Sequence, residues 1–413
     1  MFIIYLNIPA GSIRRSNKLS PDFFDHSYMD TRTPEQYQGY EQGPIRPPSE
    51  AGSLLLRVMR NCPWNRCAFC PLYKNSHFSR RSVDHVKRDI EAIRASLEAI
   101  QPHLDRGAAL PASPSPALPS FAPLDPQAFQ AAWHWVKNGL RQVFLQDADA
   151  LALKPEHLRE MLQYLTQTFP SIERVTCYSR SSTAARLPDE ALVALRQAGL
   201  TRVHIGMESG SDKVLRMVRK GATYALHVKA GRKIKDAGLE LSEYYMPGLG
   251  GRALWEENAR ETARALNQIN PDFIRIRTLA LPPDAPLATE AAAGRFVPGS
   301  DDLMVQELLL LVESLNGITS QVQSDHIVNL LPEVEGVLPD DKDRMLEIMR
   351  AYLRLDPERR TLYKVGRRLG FLSGLGDLDR PEYAAQLARY CQQQGITPDT
   401  VDAFSAELIR RYI

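Results

Sequence analysis

The sequence predicts an α/β fold, a partial (β/α)6 barrel with a polar N-terminal arm and a mainly helical C-terminal extension. Six short apolar runs between residues 53 and 279 are typical of buried strands, and helical patterns separate them. The chain has 413 residues, of which 44% are hydrophobic and 24% charged. That size and composition suit a soluble globular protein with one large domain plus additions, or with two domains.

The six predicted strands alternate with helices along the chain. The strands are residues 53–59, 142–146, 174–179, 201–207, 239–246 and 272–279. Apolar residues recur every three or four positions in the first helix, residues 81–100, and further helices are predicted near 154–167, 188–198, 224–237 and 253–268. Repeated βα units imply a parallel sheet with right-handed crossovers, whose ligands bind at the carboxyl ends of the strands.

Composition shifts divide the chain into three predicted regions. Residues 1–50 form the arm, residues 51–290 the barrel and residues 291–413 the extension. Within the barrel, residues 102–126 hold seven prolines. Proline breaks helix interiors and central strands, so we interpret this stretch as an exposed insertion that is neither helix nor strand.

Charge, hydropathy and cysteine usage indicate the broad class of the protein, although the charge balance excludes neither a nucleic acid nor an anionic membrane as a partner. Lys and Arg total 51 against 49 Asp and Glu, a balance of +2 that demands neither nucleic acid nor an anionic membrane. The apolar opening MFIIYLNIPA is too short to span a bilayer. Five cysteines, three of them clustered, do not form the pattern of a disulfide framework. We therefore expect a cytoplasmic protein without a membrane partner.

The three clustered cysteines are the strongest chemical signal. They lie in RNCPWNRCAFC, residues 60–70, directly after the first predicted strand: Cys62, Cys67 and Cys70. Thiolates bind soft metals, chiefly zinc, copper(I) or iron–sulfur clusters. A structural zinc site usually recruits a fourth ligand from a second short knuckle, and the sequence has no second CxxC. Three cysteines suit a [4Fe–4S] cube with one iron open to a cofactor, although zinc binding or redox chemistry stays an alternative.

Residues 53–290 resemble the radical SAM superfamily. The resemblance rests on the cysteine loop, on VFLQDADAL (143–151) and on HIGMESGSDKVLRMVRKG (204–221). In that superfamily three cysteines bind the cluster, and S-adenosylmethionine chelates the fourth iron. The usual spacing between the cysteines is three residues and then two, whereas this chain has four and then two.

The resemblance implies a set of residues that contact S-adenosylmethionine. Phe69 would lie near the adenine, Glu208 and Ser209 near the ribose and carboxylate, and Met246 and Gly248 again near the adenine. In the segment that holds the methionyl amino group, Gln146, Asp147 and Asp149 replace the usual glycines and glutamate, so an ordinary turn is the alternative there. Ser179 and Arg180 are further candidates, because arginine forms bidentate bonds with carboxylates, although a surface ion pair would use the same residues.

The C-terminal extension offers weaker candidates. Asp325 precedes His326 and would orient that imidazole for proton transfer, or the histidine simply holds the extension to the barrel. Residues 352–371 combine arginine and lysine with aromatic residues. Such a segment binds RNA or an acidic small molecule in some proteins, and in others it is only a solvated helical face.

The resemblance implies a radical SAM enzyme that cleaves S-adenosylmethionine reductively at a [4Fe–4S] cluster. The 5′-deoxyadenosyl radical then abstracts a hydrogen atom from a substrate. The motifs do not identify this substrate, and an anionic molecule is one candidate. Flavodoxin or ferredoxin is the expected electron donor. The alternatives are an RNA-modifying member of the superfamily and a non-enzymatic chaperone that carries a cluster or haem.

Overall fold

A computed structural model describes residues 36–105 and 125–410 of the chain. Its centre is an eight-stranded sheet whose strands stand side by side in chain order, with a separate short hairpin formed by β2 and β3. The described strands are β1 (Leu54–Arg57), β2 (Met59–Arg60), β3 (Ser79–Arg80), β4 (Gln142–Gln146), β5 (Arg174–Ser179), β6 (Arg202–Glu208), β7 (Glu240–Tyr245), β8 (Phe273–Ile276), β9 (Gln321–Gln323) and β10 (Gly336–Val337).

Helices fill the connections between the sheet strands. The described α-helices are α1 (Val83–Asp105), α2 (Pro126–Lys137), α3 (Pro155–Thr168), α4 (Ser181–Ala184), α5 (Asp189–Gln197), α6 (Asp212–Met217), α7 (Tyr224–Asp236), α8 (Gly251–Ile269), α9 (Pro286–Ala292), α10 (Asp301–Ser314), α11 (Lys342–Arg354), α12 (Pro357–Arg368), α13 (Pro381–Gln394) and α14 (Val401–Ile409). None of them is both long and apolar enough to cross a membrane.

The six predicted strands are confirmed in their predicted order. β1, β4, β5, β6, β7 and β8 pair in parallel, each with the next. Right-handed crossovers between successive parallel strands place the connecting helices on one face of the sheet. The architecture is therefore that of a partial (β/α) barrel, in which the carboxyl ends of the strands meet at one end.

The two faces of the sheet differ in chemistry, because successive side chains of a strand point to opposite faces. One face of the sheet packs against the helices and forms the apolar core. Its buried residues include Val143, Leu145, Val175, Val203 and Ile205. The other face carries aromatic and polar side chains. Tyr178 lies 5.1 Å from Phe144 and 5.6 Å from His204, and His204 lies 5.7 Å from Tyr244, measured between ring centroids. Polar groups thus line the inside of the curved sheet.

The described residues from Gly39 onward belong to one compact unit. The last part of the predicted arm therefore packs on the barrel. The Gly43 N–H donates to Gln146 Oε1 over 2.8 Å, and a Cβ on Gly43 would lie only 1.6 Å from Asp147 Oδ1. Seven residues later, the fully buried Glu50 accepts a hydrogen bond from Ser53 Oγ over 2.6 Å.

Helices extend into the predicted insertion, residues 102–126, at both of its ends. Helix α1 continues through Pro102 to Asp105, and Pro126 begins α2. Proline has no N–H, so Pro102 leaves one carbonyl of the preceding turn without a hydrogen-bond donor. Because Pro102 lies close to the end of α1, water can readily hydrate that carbonyl. The Asp125 carboxylate caps α2 by accepting from the N–H groups of residues 127 and 128, and proline is favoured at the first helical position. Residues 106–124 lie outside the described part of the chain.

The extension after residue 290 is mainly helical, as predicted, but it also lengthens the sheet. β9 pairs in parallel with β8, and β10 pairs antiparallel with β9. Between them, Asn329 covers the end of β8. Its side-chain oxygen accepts from the N–H and the hydroxyl of Thr278, both over 2.9 Å, and its amide donates to the Ile276 carbonyl over 2.8 Å. The division into residues 51–290 and 291–413 stays a prediction.

Candidate functional site

The three cysteines lie between β2 and β3, at the carboxyl end of the parallel strands. Backbone hydrogen bonds fix this loop to two other parts of the barrel. The Ala68 N–H donates to the Val218 carbonyl, and the Leu287 N–H donates to the Ala68 carbonyl, each over 2.8 Å. Cys62, Cys67 and Cys70 are free thiols, each partly exposed. The loop therefore presents three thiols from a well-anchored backbone.

Cations lie near two of these thiols, Cys67 and Cys70. Burial raises the pKa of Cys67, and Lys220 and Arg180 oppose that rise. Burial likewise raises the pKa of Cys70, against the nearby charges of Arg277 and Lys220. A thiolate in such a place is stabilised by the positive charges, and the thiolate is the form that binds metals.

The donor set fits an iron–sulfur cube. In residues 36–105 and 125–410, no three His, Cys, Asp or Glu side chains converge on a point where one metal ion would bind. A cube does not need such convergence, because each thiolate binds a different iron atom. Three free soft donors on one loop, with positive charge beside them, meet what a [4Fe–4S] cluster requires of the protein.

Asp147 anchors the start of the cysteine loop. This buried carboxylate accepts from the N–H of Asn61 over 2.7 Å and forms an ion pair with Arg57 at 2.6 Å. Burial raises its pKa, and the Arg57 charge opposes the rise. Glu41 adds a second carboxylate to Arg57 at 3.1 Å. Asp147 thus acts on the site through the backbone that precedes Cys62.

The other predicted residues of β4 and β5 have partners within the protein. The Gln146 amide donates to carbonyls of the segment before β1, at Gly43 and Ile45. The buried Asp149 carboxylate accepts from Ser179 Oγ over 2.9 Å and from Thr183 Oγ1 over 2.6 Å. These side chains hold the carboxyl ends of β4 and β5 together, and any role in binding a cofactor stays a prediction.

Glu208 ends β6 with a left-handed backbone, φ 65°, where the register with β7 shifts. Its Oε1 accepts from Lys220 Nζ over 3.2 Å, while Oε2 is buried and has no partner among the described residues. A Cβ on Gly206 would lie 2.4 Å from Glu208 Oε1, so the glycine makes room for this carboxylate. The Ser209 hydroxyl, one residue later, accepts from the Ser211 N–H over 3.0 Å. Glu208 therefore has one oxygen available for a ligand.

Lys220 is a member of the site that the sequence reasoning missed. The lysine is buried, lies 5.6 Å from the centre of the Phe69 ring and pairs with Glu208. Burial lowers the pKa of Lys220, whereas the charges of Glu208 and Cys67 raise it. The effect of these charges is larger, so the pKa of Lys220 lies above its ordinary value. The dipeptide RK before Gly221 was the only signal in the sequence, and it does not distinguish a buried lysine from a solvated one.

Trp64 occupies the longer first spacing of the cysteine loop. Its indole N–H donates to the Arg219 carbonyl over 2.8 Å, and the Arg180 guanidinium lies 4.7 Å from its ring centroid. Arg180 also donates to the Lys220 carbonyl over 3.0 Å. A Cβ on Gly221 would lie 2.4 Å from the indole, so this glycine lets the ring pack closely. The extra length of the loop thus lies against residues 219–221.

The loop after β7 is held by a carboxylate from the extension. Met246 packs in a second apolar cluster, which also contains Ala68 of the cysteine loop. The Gly248 N–H donates to Glu307 Oε2 over 2.9 Å, and Glu307 Oε1 accepts from the Tyr245 hydroxyl over 2.7 Å. Burial raises the pKa of Glu307 to about 7. Sequence reasoning missed Glu307 because it lies in an ordinary helical pattern far along the chain.

Asp325 and His326 have separate partners. Asp325 forms an ion pair with Arg275 at 2.8 Å, and the His326 ring accepts from the Val328 N–H over 3.4 Å. Burial, with the positive charge of Arg277 nearby, lowers the pKa of His326 to about 3. The expected orientation of the imidazole by Asp325 is therefore not what the structure shows, and His326 is a neutral side chain.

The basic residues of 352–371 are mostly engaged in ion pairs. Arg360 pairs with Asp302 at 3.1 Å, and Arg368 with Asp301 at 2.6 Å. The same holds for Lys364, which reaches both Asp302 and Asp402. These contacts join α12 to α10 and α14, so this segment is part of the packing of the extension.

Comparison with known proteins gives one family match. The family model described as the radical SAM superfamily matches residues 125–263. Two curated relatives, the tRNA uridine(34) acetyltransferases of Methanocaldococcus infernus and Methanocaldococcus jannaschii, are each 22% identical over 54% of this chain. The chain spans 42% and 41% of their lengths, which is less than half of either relative.

Solved structures show weaker likeness. The match to Methanocaldococcus infernus Elp3 with an N-terminal deletion covers 51% of this chain and 54% of the Elp3 chain, at 15% identity and a TM-score of 0.38. The match to coproporphyrinogen III oxidase from Escherichia coli, a radical SAM enzyme, covers 63% of this chain and 52% of the oxidase chain, at 15% identity and a TM-score of 0.41.

Proposed function

Because this chain belongs to the radical SAM superfamily, we propose that it is an enzyme that cleaves S-adenosylmethionine reductively at a [4Fe–4S] cluster held by Cys62, Cys67 and Cys70. The observation that carries the proposal is the position of these three free thiols beside the Glu208–Lys220 pair. When bound, the reduced cluster supplies the electron that breaks a C–S bond of S-adenosylmethionine, which gives methionine and a 5′-deoxyadenosyl radical.

The residues around the loop would bind and orient the cofactor. The free Oε2 of Glu208 can accept a hydrogen bond from a ribose hydroxyl. The buried Lys220 ammonium can form an ion pair with the methionyl carboxylate. Phe69 and Met246 belong to the same apolar region and offer a surface for the adenine. In this assignment Arg180 and Ser209 support the site from its edge, and Gly248 shapes the loop after β7.

The inside of the curved sheet would receive the substrate. Tyr178, His204, Tyr244 and Arg275 lie on the polar face of β5 to β8, whose carboxyl ends are at the same end of the barrel as the cysteine loop. Burial lowers the pKa of His204 to about 4, so its ring is neutral at physiological pH. Such a surface can bind a polar substrate by hydrogen bonds and keep water and oxygen from the radical. Which carbon loses hydrogen is not determined by these residues.

The test is anaerobic reconstitution with iron and sulfide, followed by reduction with dithionite and measurement of 5′-deoxyadenosine. We expect about four irons per chain and cofactor cleavage in the wild type, and neither in Cys67→Ala. Cys391→Ala is the matched control, because this buried thiol lies in α13 of the extension. Stoichiometric zinc without iron uptake would contradict the proposal, and a loaded cluster without cleavage would favour the chaperone alternative.

An RNA-modifying reaction is the second candidate, and the two curated relatives named as tRNA uridine(34) acetyltransferases favour it. Binding to RNA is salt-dependent, because phosphate contacts release counterions. A titration of bulk tRNA at several salt concentrations tests this candidate. Affinity that is weak and indifferent to salt would remove it. A cytoplasmic location is proposed with either reaction.

A further inference from the structure

Arg277, at the carboxyl end of the barrel, forms no ion pair with a described residue. It follows β8 directly, and its N–H donates to the Tyr245 carbonyl over 2.9 Å, which continues the pairing of β7 with β8. Side chains two residues apart in a strand share a face, so Arg277 belongs to the polar inner face with Arg275 and lies closer to the carboxyl end. Its guanidinium is exposed there.

The effects of the Arg277 charge on three side chains show where it lies. Burial raises the pKa of Tyr178 to about 12, and the Arg277 charge is the largest opposing effect. The same charge adds to burial in lowering the pKa of His326, and it opposes the rise in the pKa of Cys70 that burial causes. Arg277 therefore lies between the cysteine loop, the inner face of the sheet and the extension.

The other charged groups at this end of the inner face form pairs. Arg275 forms an ion pair with Asp325 at 2.8 Å, and Lys220 forms one with Glu208 at 3.2 Å. Each pair is neutral as a whole, so Arg277 leaves one positive charge in excess. An unpaired guanidinium in a concave site attracts an anion, and its planar fork matches the two oxygens of a carboxylate.

The inner face beside Arg277 also carries polar groups that lack partners. The rings of Tyr178 and Tyr244 lie 6.3 Å apart, measured between centroids. Apart from Tyr178, the buried Tyr244 hydroxyl has no hydrogen-bond partner among the described residues. The fully buried His204 lies 5.7 Å from the Tyr244 ring, and its Nδ1 has no partner in the same part of the chain. Buried polar groups are usually hydrogen-bonded, so these atoms indicate a ligand that completes them.

We propose that Arg277 binds a single carboxylate of the substrate, which is therefore a small organic acid, and that the hydroxyls of Tyr178 and Tyr244 bind its other polar groups. The inference rests on the proposed function and names the class of substrate for it. An acid bound in this way has its carboxylate beside the cysteine loop and its remaining part on the polar inner face. Arg277 is then a residue that determines specificity.

A small acid fits this site better than RNA does. Proteins that bind RNA neutralise several phosphates with unpaired cations, and they usually present an extended basic face. Here Arg275 and Lys220 already have carboxylate partners. Of these three cations, Arg277 is the one without a partner in the described part of the chain, so the excess of charge matches one anionic group.

The experiment uses benzoate and benzamide as probes, because they have nearly the same shape and differ in charge. Their affinities for the anaerobically reconstituted protein are measured by ligand-detected NMR at constant ionic strength. The variants are Arg277→Gln and Arg277→Lys. Arg159→Gln is the matched control, because Arg159 is exposed on α3, on the helical side of the barrel. A separate titration with S-adenosylmethionine distinguishes a carboxylate of the substrate from that of the cofactor.

We expect the wild type to bind benzoate roughly tenfold more tightly than benzamide, because the amide cannot form the charged hydrogen bonds. Arg277→Gln should lose this preference, and Arg277→Lys should keep part of it, because lysine retains the charge without the planar fork. Arg159→Gln should match the wild type. The affinity of Arg277→Gln for S-adenosylmethionine should stay within about twofold of the wild type.

Four results would overturn the proposal: no measurable binding of benzoate to the wild type, equal affinities for the two probes, a preference for benzoate that persists in Arg277→Gln, or a roughly tenfold loss of affinity for S-adenosylmethionine in that variant. The last result would assign the guanidinium to the cofactor. Failure of the wild type to cleave S-adenosylmethionine would instead contradict the proposed function. The NMR titration would still decide whether Arg277 binds a carboxylate, because it requires no turnover.

Discussion

The buried carboxylate of Asp147 accepts a hydrogen bond from the backbone N–H of Asn61 over 2.7 Å, at the residue directly before Cys62. The same carboxylate is paired with Arg57 at the end of β1. The Asp147 side chain therefore connects three parts of the barrel: the end of β4, the end of β1 and the start of the cysteine loop. The position of the first thiol depends on a residue that binds no metal in the proposed mechanism.

The first prediction concerns this connection. Among the described residues, Asp147→Ala leaves the Arg57 charge with Glu41 as its one ion-pair partner. Breaking a buried ion pair typically costs about 3–5 kcal/mol of stability. We expect lower resistance to denaturant and faster loss of iron to a chelator. Glu160→Ala, which removes an exposed pair with Lys87, should change stability little, because exposed ion pairs contribute little. Equal iron retention in the two variants would show that Asp147 does not hold the loop.

The second prediction concerns Glu208. Its alanine variant loses a charged acceptor at the proposed ribose position, a loss worth about 1.5–3 kcal/mol or roughly ten- to hundredfold in affinity. We expect weaker binding of S-adenosylmethionine in an anaerobic titration, with an unchanged cluster spectrum. Glu256→Ala, an exposed carboxylate on α8, is the control. Wild-type affinity in Glu208→Ala would remove this residue from the cofactor site.

The third prediction is a pH dependence that arises from Glu307. Its pKa in the folded protein is raised to about 7 from an ordinary value of 4.5, mainly by burial. The folded state therefore holds this proton more tightly than the unfolded state does. The resulting stabilisation is fully present below pH 4.5 and is lost as the pH rises through 7.

The measurement is denaturant unfolding of the wild type and of Glu307→Gln between pH 5 and about 8. Glutamine cannot ionise, so the stability of the wild type relative to the variant should fall by roughly 3 kcal/mol over this range. A difference that is constant with pH would show that the Glu307 carboxyl keeps one charge state throughout.

The fourth prediction separates the insertion from the helix ends beside it. Replacing residues 106–124 by a Gly–Ser linker of the same length should leave cluster loading and cofactor cleavage unchanged, because no described helix or strand is touched. Asp125→Ala should cost about 1–2 kcal/mol, because this side chain caps α2. The Asp125 carboxylate also accepts from the Tyr40 N–H over 2.7 Å. A linker variant that loads iron but cleaves no cofactor would assign the stretch a function.

The sequence predicted the parallel strands because their apolar runs are clear and helical patterns separate them. It did not predict β9 and β10, which are three and two residues long and offer no periodicity to detect. The end of α1 was also placed too early. Pro102 is a reliable helix breaker only in a helix interior, and here it lies near the terminus.

The site was predicted where its residues are close in the sequence. The three cysteines and Phe69 share one short loop. The cysteines indicated a cluster, with zinc or redox chemistry as the alternative, and the resemblance to the radical SAM superfamily implied the role of Phe69. Lys220 and Glu307 reach the site only through tertiary packing, and neither has a local pattern that differs from a surface residue. Asp147 was assigned to the cofactor, whereas its contacts are with Arg57 and Asn61, which adjoin different strands.

Gly43 shows how far the constraints of the site extend along the chain. Any side chain at this position would displace the Asp147 carboxylate, on which the backbone before Cys62 depends. A map of mutational tolerance should therefore rank residue 43 with the cysteines themselves, although it lies in a polar, proline-rich stretch where substitutions are usually harmless. Variants found there should be assessed as lesions of the proposed cluster site and not as neutral changes in a linker.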